Sequence, residues 1–265
     1  MAELRGFDQA ADYYDETRDL DPTARRSLTD ILLEEVKGKQ CLEVGVGTGL
    51  VGLALSRRGV PIVGADLSSR MLARLAGKFD RPHEMGLVQA DATKLPFRRA
   101  SFDAVLSSQM LHLVDDWRRV LKECIGVLRP GGLLLIDLGN EPDSGWGGPW
   151  REVGRRFWEF ARPEGRRMPE VWTDGLVDAE LSNMGWIGRG LRKVTAFEHR
   201  SLGDIIDRLD AGLWSACWPL PEDMRHEAAE RTRAWALATY GDLSERFRVE
   251  RTIAWRAYTA VNETS

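Results

Sequence analysis

The residues best suited to chemistry gather in one short run, Cys41-Leu-Glu-Val-Gly-Val-Gly-Thr-Gly49, and in Asp66, the acid that closes the next apolar run. An apolar strand bearing Glu43 leads into a Gly-x-Gly-x-Gly turn. Glycines in a strand-to-helix turn tolerate positive φ and let backbone amides approach a ligand closely. An acid at the end of the second strand is placed to accept hydrogen bonds from two ribose hydroxyls. The pattern therefore predicts a ligand containing an adenosine-like ribose. A dinucleotide is one reading, since Gly47-Thr-Gly49-Leu-Val-Gly52 is a literal G-x-G-x-x-G. Its position argues against that, because the strand has already ended at Gly45. A pyrophosphate would also meet the Glu43 carboxylate beside the helix N-terminus that should attract it. S-adenosylmethionine, with an ammonium and a sulfonium, tolerates that carboxylate.

Further motifs stand where a third and a fourth strand should end. Gly86-Leu-Val-Gln-Ala-Asp91-Ala-Thr-Lys-Leu-Pro-Phe97 reads as a strand, an acidic turn and an apolar anchor. Ser101-Phe-Asp-Ala-Val-Leu-Ser-Ser108-Gln-Met-Leu-His112 reads as a buried strand with a polar lip. Together with Gly-Ala-Asp-Leu-Ser (64–68) and Leu-Arg-Pro-Gly-Gly (128–132), these pieces cover about residues 40–140 in order. The chain resembles the class I S-adenosylmethionine-dependent methyltransferases, in their small-molecule branch with a "type 11" methyltransferase domain. The resemblance implies S-adenosylmethionine as donor and S-adenosylhomocysteine as product. It implies that Glu43 and the turn of Gly45, Val46, Gly47 and Gly49 hold the methionine moiety, and that Asp66 holds the ribose. Leu67 and Met71 would flank the adenine, Asp91 would accept from its amino group, and Ala92 would offer a backbone amide. Ser108 and Gln109 would line the methionine end. Ala11-x-x-Tyr14-Asp15-x-x-Arg18 resembles the segment that closes over the methionine carboxylate in related enzymes, although an aromatic and an arginine also suit an amphipathic start helix.

Stepping outward, the elements that position these residues alternate. Asp21-Pro22 looks like an N-cap followed by proline at the first helical position, and Leu28, Ile31, Leu32 and Val36 supply an apolar stripe ended by Gly38. Helices and strands then alternate to Leu133–Asp137, with Trp117, Val120, Leu121, Cys124 and Leu128 marking the clearest helix. Apolar strands separated by crossovers predict an α/β fold with a doubly wound parallel sheet. The resemblance extends this to a seven-stranded, mostly parallel, Rossmann-like sheet with helical cap insertions. After Asn140 nine of the ten tryptophans appear. A Gly/Pro/Trp segment leads to a helix bearing Trp150, Val153, Phe157 and Phe160. Leu176 to Trp186 reads as a helix, Leu191 to His199 as a strand, about 202–215 and 221–240 as helices, and Phe247 to Val261 as a terminal strand. The expected organisation is a helical lid and domain start at 1–38, a donor-binding core at 39–140, and a C-terminal half at 141–265. That half would hold cap segments at about 141–173 and 202–245 together with the last two strands.

Composition narrows the partners. The 265-residue chain carries a formal charge of −4 without a Lys/Arg run, which argues against nucleic acid as a partner. Arg151, Arg155, Arg156, Arg162, Arg166 and Arg167 are interleaved with Glu152, Glu159 and Glu164, as on a solvated helix face. Cys41, Cys124 and Cys217 read as buried small hydrophobes in a reduced compartment, and no Cys/His cluster has metal-ligand spacing, so no metal is expected. The N-terminus lacks an apolar signal segment, and no run approaches a membrane span, so a cytoplasmic protein that avoids membranes is expected. Monomer and homodimer both remain open.

Methyl transfer from a sulfonium is an in-line displacement that needs alignment and exclusion of water, and a base only when the acceptor must lose a proton. His112, just past the fourth strand, is the candidate for an acid/base role, against a structural histidine within its loop. Trp146, Trp150, Trp214 and Trp218 are the tryptophans placed near loop signals, and they are candidates to line a pocket for a small, partly apolar acceptor. A non-catalytic donor-binding scaffold and a tRNA or protein methyltransferase are the alternative readings. The charge pattern disfavours the last.

Overall fold

A computed structural model describes Asp8 and residues 10–18, 20–140, 148–161 and 174–261. Trp146, Arg162, Glu164, Arg166 and Arg167, named above from the sequence, lie outside the described residues. The chain forms two compact units. One comprises the described residues of Phe7–Gly139, Trp172–Val194 and Ile253–Ser265. The other comprises those of Asn140–Val171 and Thr195–Thr252.

The larger unit begins with a one-turn helix α1 (Tyr14–Arg18) and helix α2 (Pro22–Val36). Asp21 caps α2, its side chain accepting from the amides of Thr23 and Ala24, with Pro22 at the first turn. Strand and helix then alternate: β1 (Cys41–Val44), α3 (Gly52–Arg57), β2 (Ile62–Asp66), α4 (Ser69–Ala76), β3 (Gly86–Gln89), β4 (Phe102–Ser108), α5 (Trp117–Val127) and β5 (Leu128–Asn140). Every residue of β1 is buried, as a central parallel strand covered on both faces requires. Helix α5 buries Trp117, Val120, Leu121, Cys124 and Val127, the stripe read from its spacing. These pack with Leu42, Val44, Val105, Leu134 and Ile136 in one apolar cluster. The three cysteines are buried thiols outside any disulfide, as small hydrophobes would be.

The sheet orders its strands β3-β2-β1-β4-β5-β8-β6, where β6 is Trp186–Gly190 and β8 is Phe247–Ala260, and the remaining strand β7 (Val194–Arg200) pairs with β8. The β1–β2, β1–β4, β2–β3 and β4–β5 pairs are parallel, whereas β6 runs antiparallel to β8. The doubly wound, mostly parallel architecture is as expected, but among the described residues the sheet has eight strands and not seven. The extra strand is β6. It follows α7 (Asp174–Asn183), which stops three residues before the helix read from the sequence, and Gly185 makes the turn at φ 78°.

The smaller unit packs α6 (Pro149–Phe160), α8 (Leu202–Asp210) and α9 (Glu222–Tyr240) against one another. Its core contains Trp150, Val153, Phe157, Leu202, Ile205, Ile206 and Leu209, with Trp214 and Trp235 partly buried against it. Ser201 and Asp204 form a reciprocal capping box that starts α8. Tyr240 donates its hydroxyl hydrogen bond to Glu152 at 2.8 Å, tying the end of α9 to α6.

Candidate active site

The register of the central strands gathers four polar side chains onto one face of the sheet. Glu43 lies opposite both Gly64 and Leu106, Leu106 opposite Leu135, and Ser108 opposite Asp137. Because side chains alternate with period two, Glu43, Asp66, Ser108 and Asp137 share that face, at or near the C-terminal ends of β1, β2, β4 and β5. In open parallel sheets this is the edge where ligands bind.

The glycine turn takes the conformation that its sequence demanded. Gly45, Gly47 and Gly49 all have positive φ, at 75°, 53° and 83°. Gly45 has a second reason to lack a side chain, because a Cβ there would lie 2.5 Å from Cγ of Met110. Gly45 and Val46 both donate their amides to the carbonyl of Ala65, fastening the turn to the end of β2. Asp66 completes the arrangement. One carboxylate oxygen accepts from the Gly47 amide at 2.7 Å, and the other from the Ser68 amide at 2.9 Å. Burial raises the Asp66 pKa, against the lowering effect of the Ser68, Gly47 and Leu67 amides.

Glu43 stands beneath the turn. It is only 1% exposed, and a Cβ on Gly52 would come within 2.2 Å of its Oε2 atom. Burial pushes its pKa up to about 8, against the hydrogen bond from the Gly52 amide, and the neighbouring Asp66 adds to the rise. Its Oε2 has no hydrogen-bond partner among the described residues. A buried carboxyl so placed favours a cation nearby.

Asp8 and residues 10–18 lie against this edge. Tyr14 is half-buried, and its Cε1 stands 3.9 Å from where a Cβ on Gly47 would be. Burial raises the Tyr14 pKa; the Arg18 charge opposes this, while the charges of Asp66, Asp137 and Glu43 add to it. The Arg18 guanidinium is 5.9 Å from the Tyr14 ring centre. Polar contacts hold the segment down. Asp15 accepts from Thr48 Oγ1 at 2.5 Å and pairs with Lys78 at 2.6 Å. Asp12 pairs with Arg70 and Arg74, both at 2.8 Å, and Asp8 accepts from Ser68 Oγ at 2.6 Å.

The remaining sequence candidates fall at varied distances from this centre. Leu67 is 37% exposed, whereas Met71 is 2% exposed and belongs to the core, so Leu67 alone of that pair offers surface. Asp91 is exposed and accepts from both the amide and the hydroxyl of Thr93, stabilising its own turn. Ala92 packs on the apolar cluster. Gln109, immediately after β4, is a non-glycine residue at φ 47°, a strained conformation of the kind that recurs at functional sites. His112 sits in a short 3-10 turn (Leu111–Leu113). Although the residue is exposed, desolvation of the imidazole by the surrounding protein, with the Arg18 charge contributing, holds its pKa down at about 4. Its imidazole is therefore neutral at pH 7. Trp150 is buried in the core of the smaller unit, and Trp214 and Trp218 are half-buried there. Asp137 escaped the sequence reading, although its signal, an acid closing the apolar run Leu133–Ile136, was the one that singled out Asp66.

Fold and site together place a glycine turn and a row of acidic side chains at the C-terminal edge of a doubly wound sheet, the edge where ligands bind in such folds. Residues 42–136 match the family model described as a methyltransferase domain. The demethylmenaquinone methyltransferase of Beutenbergia cavernae is 34% identical over 212 residues, covering 71% of this chain and 84% of that protein. The malonyl-[acyl-carrier protein] O-methyltransferase of Halorhodospira halophila is 32% identical over 189 residues, or 66% of this chain and 63% of the relative. Among solved structures, the YcgJ protein of Bacillus subtilis matches with a TM-score of 0.58 at 16% identity, covering 89% of this chain and 98% of that one, a likeness of fold. The chain belongs to the S-adenosylmethionine-dependent methyltransferases.

Proposed function

We propose that the C-terminal edge of the larger unit's sheet holds S-adenosylmethionine in a defined sense and presents its methyl group to a small, partly apolar acceptor. In this reading the Gly45–Gly49 turn and Glu43 serve the methionine end, and Asp66 takes the two ribose hydroxyls. Leu67 and the Asp91 turn serve the adenine, and Tyr14 and Arg18 close over the methionine carboxylate. The observation that carries the reading is the alignment of Glu43, Asp66 and Asp137 on one face at the C-terminal edge of the sheet, beside a turn of three positive-φ glycines. That combination suits a ligand with two positive charges and a ribose, and it repels a pyrophosphate. The donor supplies an activated methyl on a sulfonium. The protein's residues supply alignment and exclusion of water.

The two relatives differ in the acceptor that their names give and agree in methyl transfer. The acceptor is therefore sought among small molecules, with a naphthoquinol as the first member of the panel. Isothermal titration with S-adenosylhomocysteine tests the donor site. Formation of S-adenosylhomocysteine from S-adenosylmethionine across the panel tests the activity. Binding of NADH in place of S-adenosylhomocysteine would refute the donor assignment. Donor binding without turnover on any acceptor would favour a scaffold.

A further inference from the structure

Thr48, Asp15 and Lys78 close a ring of polar contacts beside the glycine turn. Thr48 Oγ1 donates to one Asp15 carboxylate oxygen at 2.5 Å, and Lys78 Nζ pairs with the other at 2.6 Å. Lys78 Nζ also donates to the Thr48 carbonyl at 2.8 Å. Three separate pieces of chain meet there: helix α1, the turn between β1 and α3, and the residues just past the end of α4. Thr48 is only 1% exposed, so its hydroxyl has little access to water and depends on Asp15 as acceptor. A peptide is planar and trans, so holding the Thr48 carbonyl also sets the direction of the Gly49 amide, which donates to the Val46 carbonyl at 2.9 Å. Lys78 therefore braces the turn from outside, and Asp15 joins α1 to the braced turn.

The match continues one residue back. Tyr14 Cε1 stands 3.9 Å from where a Cβ on Gly47 would be, just as Asp15 meets Thr48. Two consecutive residues of α1 thus face two consecutive residues of the turn. Thr17 stiffens the same helical turn, its hydroxyl bonding to the carbonyls of Tyr13 and Tyr14 at 3.2 and 3.1 Å. The pairs of Asp12 with Arg70 and Arg74 differ in kind, because all three side chains are about half exposed and exposed ion pairs hold weakly. Asp15 instead accepts from a buried hydroxyl, a charge-assisted bond that water does not readily replace.

We propose that Thr48, Asp15 and Lys78 form one positioning unit, which seats Tyr14 over the glycine turn and sets how long the donor stays bound. The unit acts through Tyr14 and the turn and does not itself touch the donor. It rests on the donor placement proposed above, and it names the contact that ties closure of residues 10–18 to the turn. Release of the methionine end then requires the ring to open, and the contacts of Asp15 break together.

S-adenosylhomocysteine is the probe, and its dissociation rate is followed by surface plasmon resonance on the intact chain. Thr48→Val removes the hydroxyl and nearly keeps the shape, whereas Asp15→Ala removes the acceptor. Each should speed dissociation about five- to thirtyfold, as expected for the loss of a charge-assisted hydrogen bond. Because both act in one ring, the double variant should be no faster than the quicker single one. Thr48→Ser restores the hydroxyl without the methyl group and should bring back the slow rate. A merely structural role would lower the melting temperature of the free protein and leave dissociation unmoved. An unmoved rate, effects that multiply in the double variant, or a Thr48→Ser protein as fast as Thr48→Val would each overturn the proposal. Should Thr48→Val fail to fold, Asp15→Ala and Lys78→Met carry the same cycle under the same criteria, since their side chains are 41% and 32% exposed. A wild-type protein that does not bind S-adenosylhomocysteine would refute the donor reading itself, whereas binding with unmoved rates would refute the ring alone.

Discussion

Replacing Asp66 by Ala removes two interactions at once, and the two can be measured apart. In the protein without ligand, the carboxylate accepts from the Gly47 amide at 2.7 Å and the Ser68 amide at 2.9 Å. Hydrogen bonds to an ionised group are worth about 1.5–3 kcal/mol each in net terms. The site is half-buried, and water can reach part of the freed donors, so the low end applies. The expected loss of folding stability is about 2–3 kcal/mol in total. Ligand binding loses the bonds from two ribose hydroxyls, again about 2–3 kcal/mol, which is roughly a thirty- to hundred-and-fiftyfold weakening. Urea denaturation reads the first quantity, and isothermal titration with S-adenosylhomocysteine reads the second. Asp66→Asn separates charge from shape. It keeps one acceptor oxygen for the loop and should recover part of the stability while binding the ribose poorly. Unchanged affinity in Asp66→Ala would refute the ribose assignment. Unchanged stability would show that the two amide bonds do not hold the turn.

Other tests address the groups around the turn. Glu43, with a folded pKa of about 8 against an ordinary 4.5, keeps its proton more firmly in the folded state. Its contribution to stability is therefore full below about pH 4.5 and is lost as pH rises toward 8. Glu43→Gln should flatten that fall, giving a higher melting temperature than wild type at pH 8; an equal or lower one contradicts the buried-acid account. Gly52→Ala places a methyl group 2.2 Å from Glu43 Oε2, and should cost about 1–3 kcal/mol despite alanine's better helix propensity. An unchanged denaturation midpoint would show that Glu43 can step aside. His112, held down at about 4, should show no imidazole titration by NMR between pH 5.5 and 8, and a titration near 6.5 would remove the desolvated setting. Arg70→Gln with Arg74→Gln releases Asp12 and should speed hydrogen exchange in residues 10–18 and dissociation of S-adenosylhomocysteine, with high salt acting the same way on the wild type. Rates independent of both salt and substitution would show that the segment is held by other means.

The central strands and the glycine turn were legible in the sequence because each position there answers to a local demand. A buried parallel strand must be apolar throughout, and a positive φ calls for glycine. The β6 strand was not legible, since of its five residues only Trp186 is buried, leaving no alternation to read. What fixes it is tertiary. Gly188 lies opposite Tyr258 in the register, and a Cβ there would stand 2.5 Å from the tyrosine ring. The ties of segment 8–18 were equally hidden. Asp12 and Asp15 resemble any acids in a polar start, and only the fold brings Arg70, Arg74, Lys78 and Thr48 to them. Tyr14 stands out in the sequence through its likeness to a known segment, but its approach to the glycine turn at Gly47 depends on the fold.

The strand order has a consequence for synthesis on the ribosome. β8 sits between β5 and β6, yet it is made after both. While the chain grows, β1 to β5 can pair and cover themselves with α2 to α5 as soon as they emerge, because each partner lies nearby in the sequence. The outer edge of β5 then waits through more than a hundred residues, Asn140 to Phe247, for the strand that will occupy it. A nascent chain stalled in that interval displays an unfilled strand edge with unpaired backbone groups, the kind of surface at which misassembly begins.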